Sequence, residues 1–268
     1  MTGEYAGAVS AAETAGGAQP CTQGALRAAE GAREAAGRRG ETPGAAAAQA
    51  DWLAARQYAY LLFQRLFGAE PSGELFSAID VAVARDAFDI ACGAADGEPS
   101  FRELLGVLES AAGADAGGLD AWKAEYTRLF VGPAALPAPP WESVYTSHGR
   151  LVMQPSTLEV RSAYHKCGFE PALCRRVPDD HVALELDFMA ALAKEALEAR
   201  QRADAKGARD ALAASAQFLQ EHLGVWVQEF ADALRGKGRA PRYAPVACAL
   251  AAFVASDAER LAGAGGKV

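Results

Sequence analysis

From Asp51 onward apolar residues recur at helical spacing, as in Trp52, Leu53, Tyr60, Leu61, Phe63, Leu66 and Phe67, before Gly68 and Pro71 supply a stop. A period near 3.6 fits one face of an amphipathic helix, and the β-branched, alternating runs that mark strands are nearly absent. The spacing predicts further helices over 73–91, 100–112 and 119–130. After a break they resume near Ser156, and others follow over 178–197, 205–223, 225–235 and 241–261, most bounded by Gly, Pro or Asp residues that cap or break helices. The predicted class is all-α, a compact single-domain bundle of about eight to ten helices. No internal repeat of fixed period argues for an array.

The first 50 residues differ. Ala, Gly, Ser and Thr dominate them, and no aromatic occurs between Tyr5 and Trp52. Such a composition buries too little apolar surface to offset ordering, so 1–50 is expected to be a disordered tail and 51–268 the folded domain. Arg38-Arg39 in the tail is followed by Gly40-Glu41-Thr42-Pro43 rather than a Leu-rich core, which argues against an export signal of its own. The chain of 268 residues is 51% hydrophobic with a formal net charge of −8. The tail holds five acids and four arginines, so the acidity belongs to the rest. A balance of this sign argues against nucleic acid as partner, since phosphate binding needs clustered cations. Five cysteines at wide, irregular spacings lack any C-x-x-C and read as reduced thiols of a cytoplasmic protein. No apolar run approaches the roughly 18 residues that a membrane helix requires.

Two segments break the helical monotony. Between Val131 and Gln154 lie Pro133, Pro137, Pro139 and Pro140, with Pro155 at the edge. Each removes a backbone donor and restricts the residue before it, so a long, stiff, extended loop is expected. Pro178-Asp179-Asp180-His181 reads as a helix start, with proline in the first turn and acids at the positive end of the dipole. His181 is open to several roles at this point: a core-satisfying imidazole, a partner of Asp180, a metal ligand or a base. Tyr126, Leu129 and Phe130 end a helix at Gly132-Pro133, the loop carries Trp141 and Tyr145, and acids stand at Glu142, Asp179 and Asp180. Together these imply an apolar groove with an acidic rim.

At these residues the chain resembles the redox-enzyme maturation chaperones of the TorD/DmsD type. Glu125-Tyr126-Thr127-Arg128-Leu129-Phe130-Val131-Gly132-Pro133 is similar to that family's helix-to-loop segment. Leu136-Pro137-Ala138-Pro139-Pro140-Trp141-Glu142-Ser143-Val144-Tyr145 is similar to its proline loop, and Pro178-Asp179-Asp180-His181 to its P-[E/D]-D-H motif. Ser156-Thr157-Leu158 and Arg161 match the intervening helix, so the likeness covers roughly 52–261. The resemblance implies an all-helical cytoplasmic chaperone without catalysis or cofactor. It would bind the twin-arginine signal peptide and the apo catalytic subunit of a DMSO-reductase-family molybdoenzyme until cofactor insertion is complete. It also implies at most transient membrane association, as a monomer or homodimer. The signal-peptide site it implies comprises Tyr126, Leu129, Phe130, Gly132, Pro133, Pro140, Trp141, Glu142, Ser143, Tyr145, Pro178, Asp179, Asp180 and His181. Ala134 departs from the aromatic expected there in close DmsD-like members, which points to a client other than dimethyl sulfoxide reductase.

Burying about 300 Å² of apolar peptide is favourable by roughly 7 kcal/mol before ordering costs, against about 0 to 1 kcal/mol for each exposed ion pair. Leu129→Ala or Phe130→Ala is therefore expected to weaken peptide binding more than Asp180→Ala. The competing reading is a metal-dependent hydrolase using Asp180 and His181, with His148, His165 and Glu185 as further candidates. Neither H-E-x-x-H nor E-x-x-H occurs. No G-x-x-x-x-G-K-[S/T] is present to cradle a nucleotide's phosphates.

Overall fold

A computed structural model of the chain describes residues 19–37, 44–93, 98–133, 135–147, 149–171, 177–237 and 240–265. Among them are twelve α-helices: α1 (Gln19–Gly37), α2 (Ala45–Gly68), α3 (Gly73–Ala78), α4 (Val81–Cys92), α5 (Pro99–Ala112), α6 (Ala116–Tyr126), α7 (Glu142–Thr146), α8 (Pro155–Lys166), α9 (Val182–Gln201), α10 (Ala205–Glu221), α11 (Leu223–Lys237) and α12 (Tyr243–Gly265). The described residues hold no strand, and the all-α expectation is met.

Of the helices beyond the expected eight to ten, α1 lies in the segment expected to be a disordered tail and two come from local chemistry. The helix expected over 73–91 is divided because Asp80 leaves helical conformation and accepts hydrogen bonds from the Ala82 and Val83 amides at 3.1 and 3.3 Å, capping α4. The other addition is α7, which interrupts the loop expected to be extended throughout. Within 1–50, residues 1–18 and 38–43 lie outside the described residues, whereas Gln19–Gly37 is helical and packs on α2 and α4. Its Ala28, Ala32 and Ala35 are buried, and their small side chains let α1 lie close against the bundle.

Helix α2 is the axis of the fold. Every residue from Asp51 to Tyr60 is buried, a pattern that places a helix inside a bundle rather than on its surface. It packs most extensively against α9, and α12 closes the other side through α5 and α11. Phe63, Phe88, Phe101 and Phe253 form a ring cluster, with Phe88 and Phe101 stacked at 4.7 Å. Each such side chain contributes roughly 1.5–3 kcal/mol by leaving water. Arg56 is fully buried in α2, where its Nε donates to the Asp257 carboxylate at 2.8 Å. Tyr60 donates its hydroxyl to the same carboxylate at 2.6 Å.

Helix α12 starts two residues later than the proline-led 241–261 reading because a distant carboxylate caps it. Buried Glu125 accepts from the Arg242 and Tyr243 amides at 3.0 and 2.9 Å and from the Arg242 guanidinium at 3.2 Å. This fixes the end of α6 and hence the turn that follows.

Candidate functional site

Directly after α6 the chain winds into one π-helical turn, Thr127–Val131, closed by the Gly132 amide donating to the Thr127 carbonyl at 2.7 Å. π-turns of this kind are rare and frequent at functional sites. This one turns Leu129 and Phe130 inward. Leu129 is fully buried, and Phe130 packs edge-on against Phe67, Tyr126 and Tyr243. Gly132 suits this close approach, since an added Cβ would stand 3.3 Å from the Thr127 carbonyl oxygen and press on the turn.

The proline loop and the Pro178–His181 segment meet as expected, by a mechanism that the sequence does not display. Trp141 and His181 form an antiparallel bridge. The Glu142 amide donates to the Asp180 carbonyl at 3.0 Å, and the Val182 amide donates to the Pro140 carbonyl at 2.9 Å. The Asp180 carboxylate accepts from the Ser143 amide at 2.9 Å. Each segment thus satisfies amides at the start of the other's helix, α7 in one direction and α9 in the other. Helix starts leave their first amides without intrahelical partners, so mutual capping locks the two together. The positive ends of both helices converge on acids, which are the groups they favour.

This arrangement corrects the reading of Pro178-Asp179-Asp180-His181 as a first helical turn. The His181 amide donates to the Pro178 carbonyl at 3.1 Å, making a turn, and α9 begins only at Val182 with His181 as its N-cap. The His181 Nδ1 accepts from the Ala183 amide at 3.1 Å. Burial pushes its pKa down to about 4, so the ring is neutral with its lone pair committed to the cap. The Trp141 ring lies edge-on to it at 5.8 Å.

Nor are the acids an exposed rim. Asp179 and Asp180 are 2% and 0% exposed, and Glu142 is 2%. Asp179 is held by the Arg161 guanidinium at 2.6 Å, while its carbonyl accepts from the Tyr164 hydroxyl at 2.9 Å. Glu142 faces the buried His222 Nδ1 at 3.2 Å. Glu185 accepts from the Trp226 indole at 3.2 Å. Desolvation raises the Glu142 pKa, with His222 opposing it, and raises that of Glu185 well above the usual range, with the Glu142 charge adding to it. Among the described residues Asp180 Oδ1, Glu185 Oε1, Ser143 Oγ and Trp141 Nε1 are buried without a hydrogen-bond partner.

Of the other expected site residues, Tyr126 is buried and packs on Tyr243 and Phe130. Pro140 is buried, Trp141, Tyr145, Gly132 and Pro178 are partly buried, and Pro133 is exposed. Tyr145 stacks on Trp226 at 5.3 Å and carries the Arg150 guanidinium over its ring at 5.7 Å. Ala134 and His148 lie outside the described residues. The groove pictured from Leu129 and Phe130 is therefore filled by packed rings in this conformation. His222 and Trp226 enter the site unannounced, because no local motif marks residues 80 and 41 positions from their partners. Among the described residues no group of three or more His, Cys, Asp or Glu side chains is placed to hold a metal ion, which leaves the hydrolase reading without a ligand set.

The sequence model of the family described as nitrate reductase delta subunit matches residues 95–232, more than half of the chain and a span that encloses both interlocked segments. The chain belongs to that family. This delta-subunit-family chain is also 30% identical over 134 residues to the chaperone protein TorD of Vibrio cholerae, covering 50% of the chain and 59% of TorD. It is 31% identical over 107 residues to the Tat proofreading chaperone DmsD of Salmonella typhimurium, covering 40% and 46%. With the probable Tat proofreading chaperone DmsD of Haemophilus influenzae it shares 32% over 112 residues, covering 41% and 47%. The chain thus spans about half the length of the curated relatives it matches, and the resemblance to TorD/DmsD-type chaperones holds. No helix among the described residues is long and apolar enough to cross a membrane.

Proposed function

We propose that this chain is a cytoplasmic, non-catalytic chaperone that binds the twin-arginine signal peptide and the apo form of a molybdopterin-dependent oxidoreductase subunit, delaying export until the cofactor is inserted. The observation that carries the reading is the family match over a span containing the mutually capped segments, together with relatives named as Tat proofreading chaperones. The chemistry is compatible. An acid-rich protein of net charge −8 suits a partner that leads with arginines, and a rigid helical scaffold suits recognition without turnover.

Nothing in the arrangement calls for a reaction. His181 is committed to a cap, and Asp179 to Arg161. The buried carboxyls serve helix ends and hold the junction together. In this reading they preserve the shape of the recognition surface without touching the peptide. The first test is retention: the full chain, immobilised and mixed with extract of its native cell, should hold back a twin-arginine precursor of a molybdoenzyme. Retention only of mature, cofactor-loaded enzyme, or of no precursor under reducing conditions, would sink the chaperone reading.

A further inference from the structure

With Leu129 and Phe130 inside the core, a peptide needs another place on the folded surface. A cleft of about 320 Å³ opens between α8 and α10, at the lower end of the range of roughly 300–1,000 Å³ that suits small ligands or a few side chains. Glu159 and Glu221 stand on its two walls, and Phe218 and His222 lie at its base. His222 is the residue that meets Glu142, so the cleft sits directly above the mutually capped segments.

Among the described residues the charge lining the cleft is unbalanced, with Glu159 and Glu221 against Lys166. Glu159 has no cationic partner among the described residues, and Glu221 accepts only from the neutral Gln217 amide at 3.1 and 3.2 Å. Among the described residues Lys166 is the only lysine or arginine lining the cleft. Glu142 and Asp180 lie beneath, and the Glu159 charge contributes to raising the Glu142 pKa.

The most exposed large apolar residues among those described are Leu151 at 60%, Met153 at 57%, Leu158 at 61% and Val225 at 55%. Leu158 precedes Glu159 on α8, and Val225 follows Glu221 by four positions at the start of α11. Arg150 ties the intervening loop to α11 through Glu229 at 3.2 Å. Arg150 and Met153 hold φ values of 49° and 59°, a left-handed conformation that non-glycine residues seldom adopt. The loop is thus kept in an unfavourable backbone shape while it presents apolar side chains to water, a combination typical of binding surfaces.

Resting on the signal-peptide reading above, we infer that the α8/α10 cleft seats the arginine pair of the signal and that Leu151, Met153, Leu158 and Val225 take the apolar stretch behind it. The order of the track, acids and then apolar residues, matches the order of such a peptide. A second copy of this chain is the poorer occupant, because two chains of net charge −8 would bring acid against acid.

The test uses the full chain and two synthetic peptides, one with Arg-Arg followed by a Leu- and Ala-rich stretch, the other with Lys-Lys in place of the arginines. Calorimetry with E159Q/E221Q should show about tenfold weaker binding of the Arg-Arg peptide at low salt, shrinking as salt is added. M153S/L158S should weaken both peptides by a similar factor at all salt concentrations. Cys167 lines the cleft and is exposed, so the Arg-Arg peptide should slow its maleimide labelling, followed by mass spectrometry at that residue. Undiminished binding by both double variants with Cys167 unprotected would overturn the track while leaving the chaperone reading intact. Failure of the wild-type chain to bind any twin-arginine peptide would instead remove the chaperone reading. Protection of Cys167 that grows with protein concentration alone would assign the cleft to a second copy and likewise overturn the track. All four substituted residues are exposed, and unchanged thermal unfolding of each variant verifies the fold.

Discussion

Two buried polar centres hold this bundle together, and they are built on opposite principles. At the first, between α2 and α12, one guanidinium, one carboxylate and one hydroxyl nearly balance: Arg56 and Tyr60 both serve Asp257, and the guanidinium lies over the Tyr60 ring at 5.3 Å. At the second, Asp180, Glu142 and Glu185 crowd together with His222 as the nearby imidazole, and two of the three keep a carboxyl oxygen without a partner. The first is neutral and lies within the core. The second is acidic, spans the two segments that stand out in the sequence, and lies below an open cleft. A buried pair that cancels its own charge is structural, whereas a surplus of one sign near the surface leaves a field that a partner can use.

The comparison breaks first under substitution of the balanced centre. Asp257→Ala would leave Arg56 charged and unpaired in the core, and an expected loss of about 3–5 kcal/mol in denaturant unfolding follows. Peptide binding by the fraction that remains folded should be unchanged. Phe130→Ala belongs to the same class, with an expected cost of about 3–5 kcal/mol from the cavity among Phe67, Tyr126 and Tyr243. That differs from the sequence-based expectation, in which Leu129 and Phe130 line a groove. A weaker peptide affinity for Phe130→Ala without loss of stability would restore the groove and show that the ring moves out on binding. At the acidic centre Asp180→Ala should cost less, about 1–3 kcal/mol, by leaving the Ser143 amide without its acceptor.

The difference between the centres also explains how much the sequence reveals. Helix positions were readable because apolar spacing and capping residues act within a few positions, as with Pro155 at the start of α8. The tie between the proline loop and Pro178–His181 was partly legible, since both segments concentrate unusual residues. Its form was not, because capping of α7 by Asp180 joins residues 37 positions apart and leaves no periodic trace. The same reason hid His222, Trp226 and the cap of α12 by Glu125, 117 positions from Arg242. Burial of the acids is the least legible feature. Asp and Glu are ordinarily surface residues, so their spacing alone favoured a solvated rim. Only the tertiary partners, two helix starts together with Arg161 and His222, make burial tolerable.

Smaller effects sharpen the comparison within the acidic centre itself. His181→Ala should cost about 1 kcal/mol as a lost N-cap, while His181→Asn, whose side chain also caps, should come close to wild type. Equal losses in both variants would mean that the imidazole does something other than accept from Ala183. The pH dependence separates the two kinds of group. The His181 pKa is pushed down to about 4 by burial, so the folded state binds fewer protons than the unfolded one, and its contribution is lost as pH falls from about 6.5 toward 4. Glu185 has the opposite sign. Its folded pKa is raised by burial and by the Glu142 charge, so its contribution to stability is full below its ordinary value and is lost as pH climbs from there through the raised one. Glu185→Gln keeps an acceptor for the Trp226 indole and removes that loss. It should therefore unfold at higher temperature than wild type at pH 8, by about 2–4 °C for each kcal/mol relieved, with the gap closing toward pH 4.5. A gap that widened in acid would place the ionised form of Glu185 among the groups that hold the junction together, and the acidic centre would then be balanced after all, like its counterpart at Asp257.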